Sequence, residues 1–243
     1  MKQIKDTEQK VQKNIQKIKA RLIIFDLDQT LVNSTACICN SMNAALQSVG
    51  ASELSHEKIR LHIGLPIKRF LEVLLKHAHP RFKDLKEAEL KEKITKGIQA
   101  YKEYFKKTCT QTCTLYPHAK ETIEELEKRG KKLAIATTAK LELAVSLLKY
   151  LGILDYFEAI IGEEDLHQVK PDPESIYLIT EKLGIPPEQT IMVGDTVMDM
   201  EAGKSAGTHI IAVDYGVDTA EELKAVNPDG MIHDLKELLD YID

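Results

Sequence analysis

The chain has 243 residues, 43% of them hydrophobic and 29% charged, with a formal net charge of −5. This composition is typical of a globular protein with a sizeable core. The negative balance excludes a general nucleic-acid binder, which needs a basic face. The sequence contains no apolar run near the ~18 residues of a membrane span and no apolar secretory segment. We therefore expect a cytoplasmic protein without membrane or nucleic-acid partners.

The first segment, residues 1–20, is rich in Lys and Gln and contains neither Gly nor Pro. Its apolar residues recur at a spacing that suits one face of a helix: Ile4, Val11, Ile15 and Ile18. The pattern predicts a basic helical extension with a narrow apolar stripe, which packs loosely on the rest of the chain.

The next segment predicts a strand that ends in two carboxylates. Four consecutive apolar residues, Leu22–Phe25, are typical of a buried parallel strand, and Asp26 and Asp28 follow it. Ligands of open α/β sheets bind beyond the carboxyl ends of strands, so both aspartates stand where chemistry is expected. Two carboxylates this close repel each other unless a cation lies between them. Mg²⁺ suits this position, because it prefers oxygen ligands and needs few carboxylates when a substrate phosphate is present.

A long tract, residues 35–112, separates this strand from the next one. Its apolar residues recur at helical spacing, as at Met42, Leu46 and Val49, and it contains no convincing strand. We predict a helical cap inserted over the strand ends. The turn at 62–66, His-Ile-Gly-Leu-Pro, either reaches back from the cap towards a ligand or simply connects two helices.

The four cysteines do not have the spacing of a zinc knuckle. They form one C-x-C and one C-x-x-x-C pair: Cys37, Cys39, Cys109 and Cys113. No histidine stands at zinc-finger spacing from them. We expect reduced, partly buried thiols on helices.

From residue 113 onward, short apolar runs alternate with helical segments. The runs predict further buried strands at 133–136, 159–161, 191–193 and 210–213. Such alternation builds a parallel sheet that helices cover on both faces. The prediction is an α/β fold. Residues 21–34 and 113–243 form a doubly wound, Rossmann-like catalytic core, and residues 35–112 form the inserted cap.

Further polar residues follow the predicted strands at the same edge of the sheet. Thr137 and Thr138 close one strand, and the hydroxyl of Thr137 can bind a phosphate oxygen. Lys170, kept extended by the proline after it, can neutralise a phosphate and an aspartate. Asp195 and Asp199 are four residues apart and share one face of a helix that begins there. Each residue alone has an ordinary structural explanation, but together they predict a metal site with phosphate-binding partners.

Four motifs occur in a fixed order along the chain: D-x-D-x-T at 26–30, a strand-end Thr at 137, K-P at 170–171 and G-D-x-x-x-D at 194–199. In this order they resemble the haloacid dehalogenase superfamily, and most of all its phosphoglycolate phosphatase branch, which carries a helical cap. The resemblance covers nearly everything from Leu22 to Asp243. Together the motifs are highly specific for the superfamily and weakly specific for the substrate.

The resemblance implies roles for the acidic residues. Asp26 is expected to attack phosphorus and form an aspartyl-phosphate, while Asp28 protonates the leaving alcohol and then activates water. Mg²⁺ would be held by the carboxylate of Asp26, the backbone carbonyl of Asp28 and the carboxylate of Asp195, with Asp199 as a second-shell or water-mediated partner.

The resemblance also implies a set of phosphate ligands. The phosphoryl oxygens would be held by Thr137 and Lys170, together with backbone N–H groups near Leu27 and Thr138. The cap would close over them, exclude water and select the leaving group.

Some positions depart from the usual pattern of this branch. Gln29 replaces a glycine beside the nucleophile, and Thr138 stands where asparagine is frequent. Asn33 and His118 replace an aspartate and a glycine. None of these changes removes a catalytic group. Asp28 argues against halide chemistry, because dehalogenases of the superfamily carry a different residue there.

The expected function is Mg²⁺-dependent hydrolysis of a small phosphorylated metabolite, with phosphoglycolate-like, sugar or nucleoside phosphates as candidates. On the same core, a pyrophosphatase, a nucleotidase or a sugar-phosphate mutase remains an alternative. Two non-hydrolytic alternatives are a receiver-type signalling domain, which the long helical insertion fits poorly, and a non-catalytic phosphate-binding module. The pattern is compatible with a monomer or a homodimer.

Overall fold

The structure, a computed structural model, describes residues 17–78 and 82–243. Of the predicted N-terminal extension, only residues 17–20 are therefore described. Ile18 pairs with Ile242 in a parallel bridge, and its N–H donates to the carbonyl of Tyr241 over 2.7 Å. The helix predicted over residues 1–20 does not reach Ile18, because extended backbone pairing has taken its place. Ile4, Val11 and Ile15 lie outside the described residues.

Among the described residues, eight strands form two sheets. In chain order the strands are β1 (Leu22–Phe25), β2 (Val32–Asn33), β3 (Thr114–Leu115), β4 (Lys132–Ala136), β5 (Ala159–Ile161), β6 (Thr190–Gly194), β7 (His209–Val213) and β8 (Gly230–Ile232). Six of them make one fully parallel sheet in the order β5-β4-β1-β6-β7-β8. β1 lies at the centre, between β4 and β6, so the residues that follow it emerge at the middle of the carboxyl edge.

Helices connect these strands. In chain order they are α1 (Thr35–Ser48), α2 (His56–Arg60), α3 (Ile67–Ala78), α4 (Glu87–Thr112), α5 (Ala119–Lys128), α6 (Leu141–Tyr150), α7 (Glu174–Leu183), α8 (Val197–Ala206), α9 (Ala220–Ala225) and α10 (Leu238–Tyr241). Among the described residues, no helix is both long enough and apolar enough to cross a membrane.

The central strand is buried on both faces, which explains its uninterrupted apolar run. Ile23 and Phe25 pack into one core with residues of the cap, α5 and α6. Leu22 and Ile24 pack into a second core with residues of α7, α8 and α9. Successive side chains of a strand point to opposite faces, so a sheet with helices on both sides needs apolar residues at every position. The predicted doubly wound α/β core is confirmed.

The helices α1 to α4 form the cap. The longest of them, α4, packs along α1 and contacts α3 and α6. It runs from Glu87 to Thr112, and Cys109 is buried in its last turn. The limits of the cap at residues 35 and 112 stay a prediction, and the four helices fall within them.

A short antiparallel ribbon, β2 and β3, connects the cap to the core. Val32 pairs with Leu115 and Asn33 pairs with Thr114. The N–H of Tyr116 extends the ribbon by donating to the carbonyl of Leu31 over 3.0 Å. The sequence did not predict this ribbon, because two residues are too few to show a strand period.

All four cysteines are free, as predicted, and they are buried more completely than expected. Cys37 and Cys39 lie on α1 and Cys109 lies on α4, while Cys113 directly follows α4. They pack among apolar side chains of the cap core, which is the environment expected for structural thiols.

Candidate active site

Asp26 lies at the point where the central strand of the sheet ends. Its N–H donates to the carbonyl of Val193 over 2.9 Å, so its backbone still pairs with β6. The side chain is 7% exposed and faces a cavity between the core and the cap. The position follows from the sequence, because a buried strand at the centre of a parallel sheet delivers its next residue to the carboxyl edge.

A tight turn follows Asp26 and brings Asp28 to the same cavity. Gln29 occupies the left-handed region with φ +69°, which a glycine adopts without strain. Its side chain compensates by accepting from the hydroxyls of Thr35 (2.7 Å) and Tyr116 (3.1 Å). Asp28 accepts from the hydroxyl of Ser34 over 2.5 Å. The substitution of glycine by Gln29 therefore keeps the turn and ties it to both connections of the cap.

Lys170 reaches the same point from the loop that precedes α7. Its ammonium is buried and donates three hydrogen bonds: to Asp26 Oδ1 at 2.6 Å, to the carbonyl of Ala136 at 3.0 Å, and to Asp199 Oδ1. An ammonium has three N–H groups, so this set uses all of them. Lys170 thus fixes one oxygen of each of two buried carboxylates.

The first turn of α8 holds Asp199. Thr196 caps the helix and accepts from the N–H of Asp199, while Asp199 Oδ2 accepts from the N–H of Thr196 at 3.0 Å and from its hydroxyl at 2.6 Å. This reciprocal pattern is a capping box. With Lys170 on Oδ1, both oxygens of Asp199 have protein partners.

Asp195 follows β6 and is held by donors from two other loops. Its Oδ1 accepts from the hydroxyl of Thr30 over 2.9 Å, and its Oδ2 accepts from the N–H of Val217 over 2.8 Å. The side chain is buried. Asp195 therefore has a fixed orientation, and within the described part of the chain it forms no ion pair with a lysine or arginine.

Burial dominates the electrostatics of this cluster. It raises the pKa of Asp26 to about 7, because the attraction of Lys170 is partly offset by the repulsion of Asp199 and Asp28. Burial, together with Asp26 and Asp199, also raises the pKa of Asp195 well above its usual value. For Lys170, burial lowers the pKa, but Asp199 and Asp26 outweigh that effect and raise it above its ordinary value. The ammonium of Lys170 therefore stays charged. The raised pKa values of Asp26 and Asp195 show that the cluster has too little positive charge to balance its carboxylates.

The cluster fits a divalent cation. Asp26, Asp195 and Asp199 each offer a carboxylate oxygen, and these oxygens all lie within 4.8 Å of one another. Three carboxylates face one ammonium, which leaves an excess of two negative charges when all four groups are ionised. Hard oxygen donors with this excess charge suit Mg²⁺. The carboxylate of Asp28 lies outside the set, so its predicted contribution through the backbone carbonyl stays a prediction.

Two glycines allow the backbone to lie against these carboxylates. A Cβ on Gly194 would lie 2.4 Å from Cβ of Asp199, and one on Gly216 would lie 2.2 Å from Cβ of Asp195. Carbon atoms that are not bonded do not approach this closely in a packed interior. Any other residue at either position would displace a carboxylate of the cluster.

The cap closes the cavity over the carboxylates. Ile63, Gly64 and Leu65 of the predicted turn line it, together with Tyr101 and Phe105 of α4. The turn also touches the core, because a Cβ on Gly64 would lie 3.3 Å from the terminal methyl of Met198. Of the two interpretations of this turn, the structure favours the one in which it faces the ligand site.

A family model described as haloacid dehalogenase-like hydrolase matches residues 23–213, most of the chain. The chain belongs to this family. The phosphoglycolate phosphatase of Haemophilus influenzae is 32% identical over 226 residues, covering 91% of this chain and 98% of the relative. That of Vibrio parahaemolyticus is 30% identical over 222 residues, covering 91% of this chain and 96% of the relative. The predicted family and the enzyme class, a phosphoric monoester hydrolase, are confirmed.

Solved structures agree with this assignment. A predicted phosphoglycolate phosphatase from Haemophilus somnus has a TM-score of 0.82 and 29% identity, with 91% of this chain and 97% of that chain covered. A β-phosphoglucomutase from Clostridium difficile has a TM-score of 0.74 at 18% identity, covering 90% and 93% of the two chains. The second match shows that one fold carries both hydrolases and mutases, so the fold alone does not choose between them.

In this hydrolase, the two threonines after β4 occupy different environments. Thr137 is buried, and its hydroxyl oxygen accepts from the N–H of Ala139 over 3.1 Å. Thr138 lines the cavity. Their predicted roles as phosphate ligands stay predictions, and Thr138 is the one that faces the open space.

Some contacts of the site were not assigned from the sequence. Thr30 and Val217 orient Asp195, as described above. The hydroxyl of Tyr215 donates to the carbonyl of Thr30 over 2.8 Å, and its ring centroid lies 4.4 Å from that of Tyr116. Thr30 is the threonine of the D-x-D-x-T motif, so its contribution to the site could have been recognised from the sequence. Val217 acts through a backbone N–H, which leaves no side-chain pattern to recognise.

Proposed function

We propose that this hydrolase cleaves a small phosphate monoester with the help of Mg²⁺, through an aspartyl-phosphate on Asp26. The observation that supports the proposal most strongly is the position of Asp26. Its carboxylate faces the cavity, Lys170 holds one of its oxygens, and two further buried carboxylates lie within ligand distance. A nucleophile held in this way is oriented for in-line attack before the substrate arrives.

The chain's own residues can carry both chemical steps. An oxygen of Asp26 forms a bond to phosphorus while the bond from phosphorus to the ester oxygen breaks. Asp28 gives its proton to the departing alcohol. In the second step water attacks phosphorus of the aspartyl-phosphate and Asp28 takes a proton from that water; the bond from phosphorus to the Asp26 oxygen breaks, which releases inorganic phosphate and restores the Asp26 carboxylate. Burial raises the pKa of Asp28 against the lowering effect of Ser34, which favours the protonated form that the first step needs.

Asp26 and Asp195 would hold Mg²⁺ together with the backbone carbonyl of Asp28, and Asp199, whose two oxygens accept from Lys170 and Thr196, would contact the ion through a water molecule. When bound, the ion supplies positive charge that lets an anionic nucleophile and an anionic phosphate approach each other. Lys170 contributes charge to the same region, and Thr137 and Thr138 are the proposed hydrogen-bond donors to the phosphoryl oxygens.

Phosphate release from a panel of small phosphate esters and pyrophosphate tests this proposal. The panel contains 2-phosphoglycolate, sugar phosphates, nucleoside monophosphates and phenyl phosphate, each with Mg²⁺ and with excess chelator. We expect turnover of at least one monoester that stops in chelator and returns on addition of Mg²⁺. Activity that persists in chelator would contradict the metal requirement. Inactivity towards every monoester in protein that binds Mg²⁺ would contradict the hydrolase function.

Binding of Mg²⁺ should weaken as the pH falls, because protons compete for the same carboxylates. With a pKa of about 7 in the metal-free protein, Asp26 is mostly protonated at pH 6 and mostly ionised at pH 8. We expect the affinity, measured by titration calorimetry, to be at least about tenfold lower at pH 6 than at pH 8. The Asp26→Asn variant should show a smaller pH dependence. Equal affinities of the unmodified protein at both pH values would argue against a shared site.

A further inference from the structure

Part of the cavity lining, called here the apolar wall, consists of apolar side chains. Ile38 of α1, Ile63 of the turn at 62–66, Phe70 of α3, Phe105 of α4 and Leu143 of α6 all line it. Each of these side chains is at least nine-tenths buried. These residues come from five different segments, so the apolar wall forms only when the cap and the core pack together around the cavity.

The wall also contains an aromatic pair. The ring of Tyr101 stacks on that of Phe105, with centroids 5.8 Å apart and planes 20° from parallel. Both residues line the cavity and both are buried. A group that enters this space exchanges water for apolar and aromatic surface, which favours a ligand portion that is itself apolar.

Cations in the cavity are already paired. Among the described residues that line it, the cationic side chains are Lys140 and Lys170. Lys170 bonds to Asp26 and Asp199, and Lys140 Nζ lies 2.9 Å from Glu163 Oε2. A second anionic group on the substrate would therefore have to compete for its counterion with Glu163 at Lys140, or with Asp26 and Asp199 at Lys170. Burying an unpaired charge is strongly unfavourable.

We propose that the cavity selects phosphate monoesters whose alcohol portion is uncharged and apolar, in preference to esters with a second anionic group such as 2-phosphoglycolate. This inference rests on the phosphatase function proposed above. It concerns the leaving group, which would occupy the rest of the cavity once the phosphoryl group is bound at the carboxylates and Lys170. The alcohol portion gains affinity by displacing water from the wall, and an anionic one loses its hydration without gaining a counterion.

Three esters test the preference directly: 2-phosphoglycolate, its neutral amide 2-phosphoglycolamide, and phenyl phosphate. The amide differs from phosphoglycolate in charge and little in size. We expect kcat/KM to be at least about tenfold higher for the amide than for phosphoglycolate, and higher again for phenyl phosphate. An equal or higher kcat/KM for phosphoglycolate would overturn the inference and leave the phosphatase function standing. Turnover of none of the esters would overturn both.

A charge added to the wall should reverse the preference. Leu65 lines the cavity and is half-buried, so Leu65→Arg places a guanidinium at its margin. We expect the ratio of kcat/KM for phosphoglycolate to that for the amide to rise at least about tenfold. Leu61→Arg is the matched control, because Leu61 is 74% exposed and lies outside the cavity, and it should leave the ratio unchanged. An unchanged ratio in active Leu65→Arg protein would overturn the inference.

Discussion

Replacement of Asp26 by asparagine is expected to abolish turnover, lowering kcat by at least about 10⁴-fold. Asparagine has nearly the same shape, but its amide cannot form the acyl-phosphate bond. Lys170 keeps its bond to Asp199 and to the carbonyl of Ala136, so the variant should stay folded. Phosphate release with the best ester of the panel measures the effect, and circular dichroism verifies the fold.

The control for this variant is Asp155→Asn. Asp155 is an exposed aspartate on the 3₁₀ turn Leu154–Tyr156, and its replacement should leave kcat unchanged. A second readout is the covalent intermediate itself, which rapid acid quenching should trap in the unmodified protein and not in Asp26→Asn. If Asp26→Asn kept a tenth of the activity or more, the aspartyl-phosphate would have to form elsewhere or not at all.

Replacement of Lys170 by methionine should have the largest effect on stability. It removes the ammonium that pairs with Asp26 and Asp199 and leaves two buried carboxylates without a cation. Removing one partner of a buried ion pair lowers the free energy of unfolding by about 3–5 kcal/mol. Urea denaturation without Mg²⁺ at pH 8 measures the loss.

Lys132→Met is the matched control, because Lys132 pairs with Glu158 at 2.6 Å where both side chains are about half exposed. Such a surface pair contributes only about 0–1 kcal/mol.

The loss caused by Lys170→Met should also depend on pH. The pKa of Lys170 is raised in the folded state, so its stabilising contribution is complete below the pKa of an unfolded lysine and disappears only at strongly alkaline pH. At acid pH it is the protonation state of Asp26, the partner of Lys170, that changes. Asp26 binds a proton below about pH 7, and a neutral carboxyl needs no cation. The stability difference between the two proteins should therefore be smaller at pH 5 than at pH 8. An equal difference at both pH values would show that the ion pair is not its source.

The core of the fold was predictable because burial leaves a strong pattern. Leu22–Phe25 sits between two layers of helices, so each position had to be apolar, and the run identified the strand and its end. The ribbon of β2 and β3 left no such pattern.

The part of the candidate site that could be predicted consists of residues that come directly after a strand or in the loop that follows it. Asp26, Lys170 and Asp199 do meet, as expected from residues at one edge of a parallel sheet. Orientation within the site was not predictable. The hydroxyl of Thr137 accepts a local N–H while Thr138 faces the cavity, and sequence spacing cannot distinguish these two neighbours. The apolar wall could not be predicted from the sequence either, because it depends on how several helices pack around the cavity in the tertiary structure.

The ribbon of β2 and β3 has a consequence for how this enzyme can diversify. Its pairing of Val32 with Leu115 places the departure and the return of the cap side by side on the core. An insertion anchored at a single point can be lengthened, shortened or exchanged without shifting the register of the neighbouring parallel strands. Under the proposed function, new leaving-group preferences can therefore arise in the cap by drift or by grafting from a relative, while the core residues proposed to transfer the phosphoryl group stay constant. A chimera joined at Val32 and Leu115 is the natural design for transplanting such a preference.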